Sequence, residues 1–284
     1  MSTKQAGPLA AFTGGLARPL LPDAETLGAL TPKAVHDFVS ANFTAANTTI
    51  AAAGATLGAL THAAGPLVAA GRLGGAGAGA GAAASKYSGG VLTALTPGSA
   101  PLVALAFEAP GGLSDVKGTA LSAVLKALLN ETRESLPYLG KAPAGDALDS
   151  VVPVVHSYKS TGIIGLLASP AASGAAAAVD ALSSRFEALA KGVSEPALAA
   201  AKAVALGGYR AATASKSGAV QDLAQQLLAR GSADAGAYAA AVGALTAKDV
   251  AGAAAALVKG APTLVASGPL SELPKYDVIA RRFS

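Results

Sequence analysis

The chain has 284 residues, of which 52% are hydrophobic, and this length suits one large domain or two smaller ones. It has no cysteine, which excludes a disulfide framework, thiolate metal ligands and a cysteine nucleophile. The net charge is +4, but the basic residues are scattered except for the pair Arg281 and Arg282, so we expect no nucleic-acid partner. No window reaches the roughly 20 consecutive apolar residues of a bilayer helix, so we predict no transmembrane segment in this sequence.

The first clear unit of structure runs from Leu30 to Gly54 and is predicted to be a helix followed by a strand. Thr31 is placed to cap the helix, with Pro32 as its first residue, where the missing N–H has no cost. The run Thr48–Ala53 is β-prone and is predicted to be the strand. One apolar face follows from the helical spacing of Val35, Phe38, Val39 and Phe43.

A tract rich in glycine and alanine, Gly71 to Ala84, separates this unit from the rest of the chain. Its composition is typical of a flexible linker. A phosphate-binding loop is the alternative, but the glycines alternate strictly and match neither dinucleotide-binding nor Walker-type spacing. We therefore predict a linker.

The remainder of the chain is predicted to combine a sheet with a series of helices, an α+β fold. A helix with an apolar stripe is expected to begin at Ser114 or Asp115. Predicted strands are Val91–Leu95, Leu102–Ala109, Val151–Lys159, Gly162–Ala168 and Thr263–Ser267. Further helices are predicted at about 175–190, 196–212, 217–230, 235–244 and 247–259.

The segment Leu245 to Gly268 repeats the pattern of Leu30 to Gly54, and we call these the second and first copies. Thr246 is again placed to cap a helix, and Asp249 three residues later completes a capping box. The repeat predicts two homologous domains, of which the first lacks its N-terminal half. The predicted divisions are 1–70 for the end of the first domain, 71–84 for the linker and 85–284 for the second domain.

The sequence offers little to support catalysis. His36 is expected within a helix, His62 between two helical pieces and His156 on a strand, and none has a helical ligand partner. The 284 residues contain neither of the zinc motifs H-E-x-x-H and H-x-x-E-H, and they do not contain the serine motif G-x-S-x-G. Asp115 is better explained as a helix cap than as an acid–base residue. We predict no catalytic, cofactor-binding or metal-binding residues.

Several short segments, in order along the chain, together resemble the pitrilysin-type (insulinase-like, M16) peptidase superfamily, most closely its non-catalytic core-protein branch. They are Ala10–Phe12, Leu16–Leu20, Thr31–Gly54, the linker exit Lys86–Gly90, Ser157–Tyr158 with Gly162 and Gly165, and Ala266–Leu270. One departure is Lys159, where family members often carry an acid after the tyrosine.

The resemblance implies two homologous α+β domains, each a mixed sheet covered by helices, with the first incomplete here. It also implies an architectural role, without cofactors, in the mitochondrial cytochrome bc1 complex. The implied location is peripheral, on the matrix side of the inner membrane. The implied partners are a core protein 1-like subunit, cytochrome b, cytochrome c1, the Rieske protein and the small subunits of a dimeric complex.

Two alternatives to this role stay open. The same resemblance allows a non-zinc α-type subunit of the mitochondrial processing peptidase, which binds presequences. A stand-alone alanine-rich helical scaffold that binds partner helices is the alternative outside the family, and it predicts no β structure.

Overall fold

The computed structural model describes residues 3–69, 85–94, 101–130, 148–170, 174–269 and 272–283. The chain forms two compact units. The sheet unit comprises 1–18, 85–210 and 235–284, and the helical unit comprises 19–84 and 211–234. These units are defined by spatial contacts and do not test homology, so the predicted domain boundaries stay a prediction. The predicted linker lies outside the described residues.

Five strands of the sheet unit form one mixed sheet in the order β3-β7-β4-β6-β5. The central strand β4 (Leu102–Glu108) pairs antiparallel with β6 (Gly162–Pro170) and with β7 (Thr263–Ser267). The edge strands are β5 (Leu148–Ser157), which pairs antiparallel with β6, and β3 (Gly90–Ala94), which pairs parallel with β7. The predicted α+β class and these five strands are confirmed, which removes the all-helical scaffold.

The helices follow the predicted series closely. In the sheet unit they are α1 (Thr3–Ala11), α5 (Val116–Leu129), α6 (Gly174–Ala190), α7 (Glu195–Thr213, whose last residues enter the helical unit), α9 (Ala237–Ala244), α10 (Ala247–Val258) and α11 (Tyr276–Arg282). In the helical unit they are α2 (Ala24–Ala29), α3 (Pro32–Asn42), α4 (Leu57–Ala69) and α8 (Lys216–Arg230). His62 therefore lies inside α4, and its prediction between two helical pieces was wrong.

Local capping signals explain where several helices begin and end. The side chains of Thr31 and Asp115 accept hydrogen bonds from the first-turn amides of α3 and α5, as predicted. Thr246 and Asp249 form the predicted capping box at α10. Gly231 ends α8 in the left-handed conformation that glycine adopts without a steric penalty.

The main core lies between one face of the sheet and helices α5, α6 and α10. Alternate residues of β4 point into it, and Val103, Leu105 and Phe107 are fully buried. The ring of Phe107 contacts those of Phe186 on α6 and Phe283 after α11, edge to face, at centroid distances of 4.9 and 5.0 Å. Phe107 thus joins the central strand to α6 and to the segment that follows α11.

The opposite face of the sheet is covered by the start of the chain. Ile163, the neighbour of the core residue Ile164 on β6, belongs to a second cluster with Ala11 and Phe12. The two-residue strand β1 (Phe12–Thr13) pairs antiparallel with β2 (Lys86–Tyr87), and the Phe12 ring contacts Tyr87 and Tyr158 edge to face. Residues assigned to the first domain by sequence therefore pack on the sheet of the second.

The predicted strand at Thr48–Ala53 is wrong. These residues belong to no strand, and Ile50 within them is exposed. A strand is stable only when a neighbouring strand pairs with its backbone, and the described part of the helical unit contains none of the strands of the five-stranded sheet. The local β propensity is therefore not enough to form a strand here.

Within the described residues, no single helix is both long and apolar enough to cross a membrane. Helices α9 and α10 are long and apolar enough only when they are taken together as a pair, and this pair is bent by 92° at the break between the two helices.

Candidate functional site

The three histidines lie in different surroundings. His36 is on α3 with its Nδ1 3.9 Å from Asp37 Oδ1, and both side chains are largely exposed. His62 is exposed on α4, whereas His156 is partly buried on β5, opposite Ile163 of β6. Across the described ranges, no group of three or more His, Asp or Glu side chains could hold a metal ion.

A cleft of about 460 Å³ in the sheet unit is the best candidate for a functional site. It lies where β2, the end of β4, the start of α5 and the length of α10 meet. Its polar lining consists of Tyr87, Glu108, Lys117 and Asp249. Its apolar lining consists of Ala109, Pro110, Leu121, Ala253, Ala256 and Leu257, and Gly260 completes the wall.

Tyr87 is held rigidly at one side of the cleft. Its hydroxyl lies 2.8 Å from the carbonyl oxygen of Ala261, to which it donates, and 2.9 Å from Oγ1 of the buried Thr263. Burial raises the pKa of Tyr87 well above its ordinary value. The phenol therefore stays protonated and ties β2 to the start of β7, which is a structural role.

An ion pair at the cleft links the first turns of two helices. Lys117 Nζ on α5 donates to Asp249 Oδ1 on α10 at 2.6 Å, and the other carboxylate oxygen of Asp249 accepts from the backbone N–H of Thr246 at 3.0 Å. The hydrogen bonds from Lys117 and then from Thr246 lower the pKa of Asp249. The carboxylate is thus committed to capping α10 and to the ion pair.

Glu108 completes the polar lining at the end of β4. One of its carboxylate oxygens, Oε1, accepts a hydrogen bond of 2.8 Å from the Thr161 hydroxyl. Of the charged groups in the lining, Lys117 and Asp249 are paired with each other, and Glu108 is bonded to Thr161. The arrangement is suited to holding the sheet and helices together.

No protein-family model matches the sequence. A curated relative from Arabidopsis thaliana, described as a probable mitochondrial-processing peptidase subunit alpha-2, chloroplastic/mitochondrial, is 26% identical over 287 aligned positions. The match covers 96% of this chain and 57% of the relative, so the chain spans little more than half of that relative's length.

Among solved structures, a chain of complex III2 from Candida albicans, with Inz-5 bound, is similar to this chain with a TM-score of 0.81. The two are 18% identical, and the match covers 99% of this chain and 70% of that chain. The two chains share their fold, and the predicted α+β fold is confirmed.

The motif residues that carried the resemblance have structural roles in this fold. A Cβ on Gly165 would lie 2.6 Å from that of Ala106, so only glycine allows β6 to approach β4 this closely. Gly89 has a φ of 65°, and a Cβ there would lie 2.8 Å from the Cβ of Ala261. Both positions thus require glycine for the close approach of neighbouring backbone.

The sequence predicted no catalytic, cofactor-binding or metal-binding residues, and this stays a prediction. The cleft could not be found from the sequence, because its charged residues are spread from Glu108 to Asp249 and each looks like an ordinary surface charge or cap. The capping box at Thr246 and Asp249 was the one sequence signal that pointed to a residue of the cleft. It identified Asp249 as a helix cap but did not indicate that Lys117 forms an ion pair with it.

Proposed function

We propose that this chain is a structural core subunit, of the core protein 2 type, on the matrix side of mitochondrial ubiquinol–cytochrome c reductase (complex III). It supports assembly and stability of the complex and has no catalysis of its own. Its partners are a core protein 1-like subunit, cytochrome b, cytochrome c1, the Rieske protein and the small subunits of the complex dimer. It is peripheral to the inner membrane and carries no cofactor.

The observation that carries this proposal is the similarity of 99% of the chain to a chain of complex III2 from Candida albicans at a TM-score of 0.81. The match includes the described sheet unit, whose glycine and tyrosine motifs first suggested the core-protein branch. A subunit of this kind requires a stable body with surfaces for neighbouring subunits. The continuous core and the exposed apolar side chains of α3 agree with that requirement.

The lack of catalysis is supported by the side chains present. The 284 residues contain neither order of the zinc motif, and the charged groups of the cleft are used in structural contacts. An ion pair and a capped helix contribute to stability, and neither supplies an activated water or a nucleophile.

The second candidate is the non-zinc α-type subunit of the mitochondrial processing peptidase. The curated relative from Arabidopsis thaliana, at 26% identity, favours it. In this role the chain would bind presequences for a catalytic partner.

One experiment separates the two proposals. Mitochondria that contain the tagged chain are solubilised in mild detergent and separated on a native gel, and each band is tested for cytochrome c reduction by quinol and for presequence cleavage. We expect the chain in the band that contains cytochromes b and c1 and reduces cytochrome c. A chain found only in the presequence-cleaving fraction would refute the core-subunit role.

A variant tests whether the chain contributes chemistry. Simultaneous His36→Ala, His62→Ala and His156→Ala substitutions are expected to leave the turnover of the assembled complex within about twofold of the wild type, because these residues form no common site. Gel-band intensity measures assembly separately from turnover per complex. A large loss of turnover at normal assembly would contradict the non-catalytic role.

A further inference from the structure

Strand β5 lies at one edge of the five-stranded sheet. Among the described residues, β6 is the only strand that pairs with β5, and we call the side of β5 that faces away from β6 its outer side. β5 is 10 residues long, whereas β3 at the opposite edge has 5. A long edge strand is a template on which a strand of another molecule can pair through backbone hydrogen bonds, so natural sheets usually block such an edge.

The sequence of β5 favours pairing with copies of itself. Four of the five residues in the run Val151–Val155 are valines, and residues 150–157 include no Asp, Glu, Lys or Arg. Val152 is 52% exposed on the sheet. High β propensity, low charge and an edge position are together typical of a segment that aggregates. Pro153 is the residue of this run that departs from the pattern.

The register of the β5–β6 hairpin determines which backbone groups of β5 face outward. The Tyr158 N–H donates to the carbonyl oxygen of Thr161 at 2.8 Å, so these two residues form a hydrogen-bonded pair at the turn. Hydrogen-bonded and non-hydrogen-bonded pairs alternate along an antiparallel ladder, and the register has no shift over 150–157. Pro153 is five residues before Tyr158 and is therefore in a non-hydrogen-bonded pair with Leu166. Its backbone nitrogen faces the outer side of β5.

Pro153 removes a hydrogen-bond donor from the middle of this outer side. The backbone N–H groups of Val155 and Ser157 also face outward, because each is an even number of residues from Pro153. Proline has no N–H, so a strand laid along the outer side would lose a backbone hydrogen bond at its centre. The register shift between Leu148 and Ser150 disrupts the same edge at the start of β5.

We propose that Pro153 closes the outer side of β5 to strand addition and so prevents another molecule of this chain from pairing with it edge to edge. The excluded occupant is the run Val151–Val155 of that molecule, which has the same β propensity and no charge to repel it. The Pro153 side chain is buried, and its neighbours on the same face, Val151 and Val155, pack against the main core. A valine therefore suits the position equally well, and the proline is needed for its missing N–H. The inference does not depend on which complex contains the chain.

Substitution of Pro153 in the full chain tests this. Pro153→Val and Pro153→Ala both restore the N–H, with side chains of different size. The matched control is Ser150→Val, which adds a valine to the same strand at an exposed position whose N–H already faces β6. An antiparallel pair of β5 strands gains one hydrogen bond from each molecule, so sedimentation velocity is expected to show self-association about tenfold tighter in both Pro153 variants than in the wild type and the control.

Amide hydrogen exchange, measured residue by residue by NMR, identifies the surface that associates. In the Pro153 variants the outward amides of Val155 and Ser157 are expected to exchange about tenfold more slowly at high than at low protein concentration. The amide of Val154 faces β6 and is the reference within the same strand. Unchanged association of the Pro153 variants, equal association of Ser150→Val, or protection confined to residues outside β5 would overturn the proposal. Loss of the circular dichroism signal in both Pro153 variants would also overturn it, because the proline would then be required for packing.

Discussion

Burial of the Phe107 ring is expected to be one of the largest single contributions to the stability of the sheet unit. The ring is fully buried on the central strand and contacts Phe186 and Phe283. Phe107→Ala removes that packing and leaves a cavity between the sheet and two helices, which costs about 3–5 kcal/mol. The matched control is Phe38→Ala, the same chemical change at a side chain that is 61% exposed, with an expected cost within about 0.5 kcal/mol.

Urea unfolding of the isolated chain, followed by circular dichroism and by hydrogen exchange of peptides from β4 and β6, measures this difference. With a urea m-value of about 2–3 kcal/mol/M, the Phe107→Ala midpoint is expected to fall by about 1–2 M while the Phe38→Ala midpoint stays nearly unchanged. Equal shifts for the two variants, or no shift for Phe107→Ala, would show that Phe107 does not hold the sheet to the helices.

Three further predictions follow from single contacts. Because the folded-state pKa of Asp249 is lowered, its carboxylate stabilises the fold at pH values above its unfolded pKa of about 3.9. The difference in melting temperature between the wild type and Asp249→Asn should therefore be constant above about pH 5 and shrink as the pH falls below about 4. A difference that grows in acid would refute the assignment. Gly165→Ala is expected to lower the melting temperature, because the new Cβ would clash with β4. Gly207→Ala lies in the middle of α7 with open space around it and is expected to stabilise the fold by about 0.4–1 kcal/mol. Equal effects at the two sites would contradict the close approach of β6 to β4. Tyr87→Phe removes the hydroxyl that bonds the Ala261 carbonyl and the Thr263 hydroxyl, and it is expected to lower the free energy of unfolding in urea by about 1–3 kcal/mol. An unchanged urea midpoint would show that water replaces the phenol.

Several elements were predictable from the sequence because their signals are local. The caps at Thr31 and Thr246 act within one helical turn, and the continuous apolar run that begins at Leu102 indicates the central strand. The strand Thr263–Ser267 was predicted to the residue, since a proline precedes it and a glycine follows it.

The cleft was less predictable, because its geometry depends on residues that are distant in the sequence. Lys117 and Asp249 are 132 positions apart, and Tyr87 and Thr263 are 176 apart. Pairwise spacing in the sequence carries no information about such contacts, which form only when the strands and helices pack. The sequence could identify Asp249 as a cap but not Lys117 as its partner.

The sequence by itself determined the α+β class, the caps and the positions of most helices and strands, because propensity, periodicity and capping act over a few residues. Tertiary structure decided which of two similar segments completes a sheet. Leu264 is buried in a strand and Ile50 is exposed outside one, although both follow a capped helix and precede a glycine with positive φ. The difference arises because a strand and an apolar helix face are stable only against partners. For the second copy those partners come from a remote segment of the chain, and the described residues contain no such segment packed on the first copy.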